Sequence, residues 1–233
     1  MDAWIDFAAG PLFRISLAVL VLGLIYRFVV LLGQVVTAWR QAGDRRLPVG
    51  TIAGKTLKWI VPVRLFHQKP VFSFASVLFH VGIILVPLFL AGHVALLSGF
   101  VPEGWPVLGP LAADVLTIVA LVGIAILGVM RLTTSTSRGV TQAGDLAILA
   151  VLFLLVLFGF FASHPELSPL GARWMVLLHI LLGDLALILT PTTKIAHCVL
   201  FPLTQLVAAL AWRYPEASGR NVMVALGKEN ETV

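Results

Sequence analysis

Runs of apolar residues long enough to cross a bilayer dominate this chain, and no other feature limits its fold as tightly. A hydrocarbon core of about 30 Å takes about 20 helical residues, and an uncharged run of that length is excluded from most soluble folds. Four runs meet the requirement: Phe13 to Val36, Phe72 to Leu97, Leu111 to Met130, and Asp145 to Ala162. A fifth goes from Ala172 to Thr190, where Pro191 interrupts it. The stretch Cys198–Trp212 is short and contains Pro202, so it reads as an extension of the fifth helix or an interfacial helix. The alternative is a sixth span, which would put the C-terminus outside. Composition agrees with lipid: 12% of the 233 residues are charged and 59% hydrophobic, where a soluble domain carries about 25% charged. Mean hydropathy is +1.01. The expected fold is all-α, an integral membrane bundle of five transmembrane helices. Residues 1–212 would form the transmembrane domain and 213–233 a cytoplasmic C-terminal tail, with no room for a second globular domain. No cleavable signal peptide is expected, because Asp2 and Asp6 stand where a basic segment would be.

Charge sets the orientation. The segment from Arg40 to Lys69 holds Arg40, Arg45, Arg46, Lys55, Lys58, Arg64 and Lys69. Arg131 and Arg138 lie in the third connection, and Lys194, Arg213, Arg220 and Lys228 follow the fifth span. That is 13 cations on one side, while the loops Ser98–Pro110 and Ser163–Gly171 contain none. By the positive-inside rule the N-terminus is outside and the C-terminus cytoplasmic, in the cell inner membrane. The formal charge of +5 is thus accounted for by topology and implies no nucleic-acid partner. Cys198 is the only cysteine, so an internal disulfide, a CxxC pair and a cysteine-ligated iron–sulfur cluster are all excluded.

Six histidines remain: His67, His80, His93, His164, His179 and His197. His80 and His93 belong to the second run, and His179 and His197 to the fifth and its end. An imidazole in hydrocarbon marks a functional site unless it is simply hydrogen-bonded in a core. On one continuous helix, the 18 residues between His179 and His197 make five turns and put both on one face, about 27 Å apart. His80 and His93 are 13 apart, about 20 Å along the axis but about 140° around it, with Pro87 between them to re-aim one. The second span runs outward and the fifth inward. That pairs His80 with His197 near the cytoplasmic side and His93 with His179 near the outer side. Two stacked bis-histidine sites suit two b-type haems, each iron taking one ligand from each facing helix. The competing class is a polytopic transporter of metal or protons, or a haem-free anchor. Metal transport would call for carboxylates or thiols nearby, and only Asp184 lies at such depth.

The residues around these histidines resemble a known family. Leu78-Phe79-His80-Val81-Gly82-Ile83, followed by Gly92-His93, resembles helix two of the respiratory nitrate reductase gamma subunit. Leu178-His179-Ile180-Leu181-Leu182-Gly183, continuing to Lys194-Ile195-Ala196-His197, resembles its helix five, with the same histidine spacing. Arg131 through Thr141-Gln142-Ala143-Gly144-Asp145 is similar to its third connection, and Ile25-Tyr26-Arg27 weakly to its helix one. The resemblance covers Phe79 to Tyr214. It implies a dihaem cytochrome b that exchanges electrons between a quinone pool and a cytoplasmic iron–sulfur partner subunit. By the same resemblance the quinol site adjoins the His93–His179 haem, and the His80–His197 haem faces the partner. Three features depart from that pattern: an extra turn between His80 and His93, a long connection from Gln34 to Pro70, and an outer loop without lysine. They look more like the gamma-like subunits of sulfite-reduction-associated, Tmc-type and heterodisulfide-reductase-linked complexes.

Other polar residues have plainer readings beside functional ones. Arg27 would pair with a haem propionate through its bidentate fork, or snorkel to headgroups like Arg14. His67 reads as interfacial and His164 as a loop residue able to take a proton from quinol. Asp184 needs a partner such as a backbone group, a water or a helix-one arginine, or else relays protons, and Asp145 caps the fourth helix. Gly82, Gly92 and Gly183 would admit either a flat macrocycle or a neighbouring helix.

Overall fold

The computed structural model describes residues 1–42, 50, 53–54, 57–58, 63–211 and 218–228. Arg45, Arg46, Lys55, Arg213 and the 212/213 domain boundary lie outside the described residues. Among the described residues every regular element is helical, with no strand. The elements are α1 (Asp2–Phe7), a π-helical turn (Ala8–Leu12), α2 (Phe13–Gln41), α3 (Val63–Gln68), α4 (Pro70–Phe89), α5 (Ala91–Leu96), α6 (Pro110–Thr133), α7 (Ser135–Arg138), α8 (Ala143–Ser163), α9 (Ala172–Thr192), α10 (His197–Ala211) and α11 (Ser218–Ala225). Five helical stretches are long and apolar enough to cross a membrane: Asp2–Gln41, α4, α6, α8 and α9. The chain is a multi-pass membrane protein.

The helix ends differ from the sequence expectation in ways that local chemistry explains. The first span starts at Asp2, and Pro11, which has no N–H to donate, sits inside the π-helical turn that joins α1 to α2. Pro70 and Pro110 each occupy a first turn, where the missing N–H costs nothing. The second span does not run to Leu97. It stops at Phe89, two residues past Pro87, and Leu90 is extended at φ −73°, ψ 130° before α5 begins. Carbonyls freed there are taken up by the following loop: Trp105 Nε1 donates to Leu88 O at 2.9 Å and Leu108 N to Phe89 O at 2.8 Å. The Trp105 ring also stacks on Phe89, 5.9 Å between centres. At α8, Gln142 N donates to Asp145 Oδ2 at 3.1 Å, so the capping role expected of Asp145 holds, from the third helical position.

The fifth span passes through Pro191 to Thr192 and then breaks. Thr193 is extended (φ −122°, ψ −172°), its hydroxyl accepts from Ile195 N, and a 3-10 turn over Lys194–Ala196 precedes α10. Helix α10 is therefore a separate 15-residue helix, not an extension of the fifth span, and Pro202 lies within it. The argument that 18 residues of continuous helix put His179 and His197 on one face fails at Thr193 for the same reason.

The described chain divides into two compact units. The first joins Met1–Leu17 to Pro62–Leu187, and α4 against α6 is its tight centre. A Cβ on Gly123 would stand 2.7 Å from Ala75 O and 2.8 Å from Phe79 N, and one on Gly82 would collide with Leu116 O and Ala120 Cβ. Without a hydrophobic drive between helices in lipid, such small residues gain stability by letting backbones touch. Ala75, Phe79, Ile124 and Leu127 form the buried cluster, covered by Leu149, Leu152 and Phe153 of α8. Gly82 thus packs helices, the second of the two readings open to it from sequence. The second unit joins Ala18–Val61 to Ile188–Val233. In it Gly23 receives the buried Pro191 ring, whose Cβ would lie 2.6 Å from an added Cβ.

Candidate functional site

In the first unit the break in the second span and the course of α9 bring together two of the four expected ligands. His93, on α5, and His179, on α9, have ring centres 5.8 Å apart and planes inclined by 26°. Both are half-buried. The fit to a shared metal can be tested on those numbers. Two imidazoles on opposite sides of one iron, with metal–nitrogen bonds of about 2.0–2.1 Å and each ring centre roughly 1 Å behind its nitrogen, hold their centres about 6 Å apart. The observed separation matches.

The hydrogen-bond partners of the rings set which nitrogen carries the proton. His179 Nδ1 donates to Leu155 O of α8 at 2.9 Å, and His93 Nδ1 points at Val86 O at 3.4 Å. A carbonyl only accepts, so Nδ1 carries the proton and Nε2 the lone pair, the arrangement found on metal-bound histidines. Gly159 completes the seat of His179. A Cβ there would fall 2.8 Å from both Cε1 and Nδ1 of the ring, closer than side-chain atoms pack. Leu155 and Gly159, one turn apart on α8, therefore form a notch and a hydrogen-bond acceptor for one imidazole.

Neither was legible beforehand as a site residue. Gly159 sits in the apolar run Phe158-Gly159-Phe160 and looks like any packing glycine, and a backbone carbonyl leaves no mark in sequence. Of the glycines singled out, Gly92 meets nothing within 4 Å, and Gly183 meets only Leu155 Cδ1 at 3.8 Å.

The other two expected ligands belong to different units. His80, half-buried on α4, donates Nδ1 to Ser76 O at 2.6 Å and meets the Phe79 ring edge-on at 5.1 Å. His197, exposed at the start of α10 in the second unit, donates Nδ1 to Lys194 O at 2.7 Å. All four candidate ligands thus share one tautomer. Arg27 is exposed on α2 in the second unit, and His67 is exposed on α3.

His164 differs. Its Nδ1 donates to Phe160 O at 3.0 Å, its ring stacks on Phe160 at 4.4 Å, and its Nε2 lies 3.4 Å from Asp114 Oδ2. A carboxylate thus lies against the ring nitrogen that a metal would need. Its Asp114 partner, 50 residues away in sequence, gave no signal before the structure. Among the described residues no three His, Cys, Asp or Glu side chains cluster as a conventional metal site would, whereas an iron carried in a porphyrin takes only two protein ligands.

No protein-family model matches the chain, and no solved structure matches it significantly. Over 200 residues, 84% of this chain and 87% of the other, it is 36% identical to a chain from Nitratidesulfovibrio vulgaris described by the single word "Protein". Identity at that level across nearly the whole of both chains means common descent and a common fold. The chain belongs to the family of that Nitratidesulfovibrio vulgaris protein.

Proposed function

We propose that the chain is the membrane-anchoring dihaem cytochrome b subunit of a respiratory complex in the cell inner membrane, exchanging electrons between the quinone pool and a cytoplasmic iron–sulfur partner. The observation that carries the reading is the His93–His179 pair, with ring centres 5.8 Å apart and Nδ1 of each turned to a backbone carbonyl. Residues His93 and His179 hold one haem b, and His80 and His197, matched by topology, hold the other. Arg27 offers a fork for a propionate. Bound in these places, haem iron supplies one-electron transfer. The protein does the rest.

Leu155 O keeps the His179 proton on Nδ1 and so aims Nε2, and the Gly159 notch lets the ring lie against α8. At the same end of α8, His164 Nε2 and Asp114 Oδ2 form a pair that takes up or returns the protons of a quinol. Oxidation of one quinol releases two electrons and two protons, and reduction of a quinone consumes them. The 13 loop cations support an N-terminus outside and a C-terminus in the cytoplasm, which sets this chemistry on the outer side. The resemblance to nitrate reductase gamma and related subunits supports the partner.

The purified protein tests this. It should be red, show a reduced b-type absorption band and contain close to two haems per chain. His179→Ala and His197→Ala should each remove one. A colourless preparation holding zinc or copper would assign it instead to metal transport.

A further inference from the structure

Asp184 is a buried carboxyl that the electron-transfer reading does not use. It lies on α9, five residues and about 7.5 Å beyond His179, and is 3% exposed. The polar group it faces is the Ser16 hydroxyl of α2, itself 0% exposed. The helix-one arginine that the sequence offered does not partner it: Arg14 is exposed. Beyond this contact, neither carboxyl oxygen of Asp184 nor Ser16 Oγ has a hydrogen-bond partner.

The two residues lie at similar depths. Arg173 and Asp2 join the starts of the two spans through an ion pair of 2.7 Å. From there Asp184 is 11 residues down α9 and Ser16 14 residues down the first span, about 17 and 21 Å along the axes.

We propose that Asp184 and Ser16 form an intramembrane proton-binding site. A carboxylate in hydrocarbon with no cation or N–H beside it has lost its hydration without replacement, and taking up a proton removes the charge. The product is a neutral carboxylic acid, whose O–H donates to Ser16 Oγ or whose C=O accepts from it as the side chains settle. The ligand is a proton and not a metal cation. Two carboxyl oxygens and one hydroxyl make three donors, where hard cations take six or more, and the neighbouring helical carbonyls are already engaged. The site stands inside the bilayer whether or not iron is bound, so it does not depend on the cytochrome reading.

Infrared spectroscopy of the full chain in lipid vesicles at neutral pH reads it directly. A protonated-carboxyl C=O stretching band should be present, vanish in Asp184→Asn, and move to higher frequency in Ser16→Ala as its hydrogen bond is lost. A band unchanged in Asp184→Asn, or the loss of an ionised-carboxylate band instead, overturns the proposal. Should Asp184→Asn fold poorly, the wild type decides: dicyclohexylcarbodiimide, an apolar reagent that adds to protonated carboxyls, should modify Asp184 on peptide mapping. Modification confined to other acidic residues refutes the site.

Discussion

Adding one methyl group at Gly159 tests the seat of His179 more sharply than removing the histidine itself. In Gly159→Ala the new Cβ would stand 2.8 Å from Cε1 and Nδ1 of the ring. Carbon atoms rest at about 3.5–4.0 Å, so ring and helix must part by roughly 0.7 Å or more. The His179–Leu155 hydrogen bond, 2.9 Å at present, would stretch to about 3.6 Å and cease to be one. Overpacking costs about 1–3 kcal/mol and the lost bond about 0.5–1.5 kcal/mol. If about 2–4 kcal/mol of that falls on ligand geometry, haem affinity at this position drops roughly 30- to 1,000-fold. Loss of the hydrogen bond that orients a metal-bound histidine typically costs about 10- to 100-fold by itself.

The assay is haem content per chain with a reduced-minus-oxidised difference spectrum. One of two haems should be lost, or its spectrum and potential displaced, with the other unchanged. Two glycines serve as internal controls. Gly183→Ala brings a Cβ to 3.8 Å from Leu155 Cδ1, an ordinary contact, and Gly92→Ala meets nothing within 4 Å, so both should keep two haems. Full haem content and an unaltered spectrum in Gly159→Ala would refute the reasoning.

Gly123→Ala presses a methyl into the α4 backbone at Ala75 and Phe79, and should destabilise the first unit by about 1–3 kcal/mol, read as a lower melting temperature in detergent. Trp105→Phe keeps a ring to stack on Phe89 but leaves Leu88 O without its donor, and should cost about 0.5–1.5 kcal/mol in the same measurement, against little change for Trp4→Phe, which is 66% exposed.

How far the sequence foretold this structure depends on the scale of the question. The five spanning helices were legible because about 20 uncharged residues have few other folds open to them. Their ends were not, because each is settled by a local exchange of hydrogen bonds. Pro87 announced trouble in the second span, but the stop at Leu90 depends on Trp105 and Leu108 arriving to take the carbonyls. Pro191 looked like the stop of the fifth span, yet the helix carries its ring in the Gly23 notch and gives way at Thr193 instead.

The same contrast holds in the site. Antiparallel topology alone paired His93 with His179, and those two rings do meet. Counting turns from His179 to His197 failed, since the count assumes a helix that Thr193 interrupts. Gly159, Leu155 O and Asp114 lie on elements whose relation to the histidines only the packing reveals.

The loop that follows α5 has a further consequence. Carbonyls laid bare in oil have no solvent to fall back on, so the interruption at Leu90 can exist only while Trp105 and Leu108 stay docked. Swing the loop away, or lengthen it until it no longer reaches, and the second span must either straighten or leave two acceptors stranded. Straightening would carry His93 round to the far side of its helix. A surface connection thus latches the aim of a residue in the bilayer, and a protease cut or inserted tag between Ser98 and Gly109 should disturb the histidine pair from a distance.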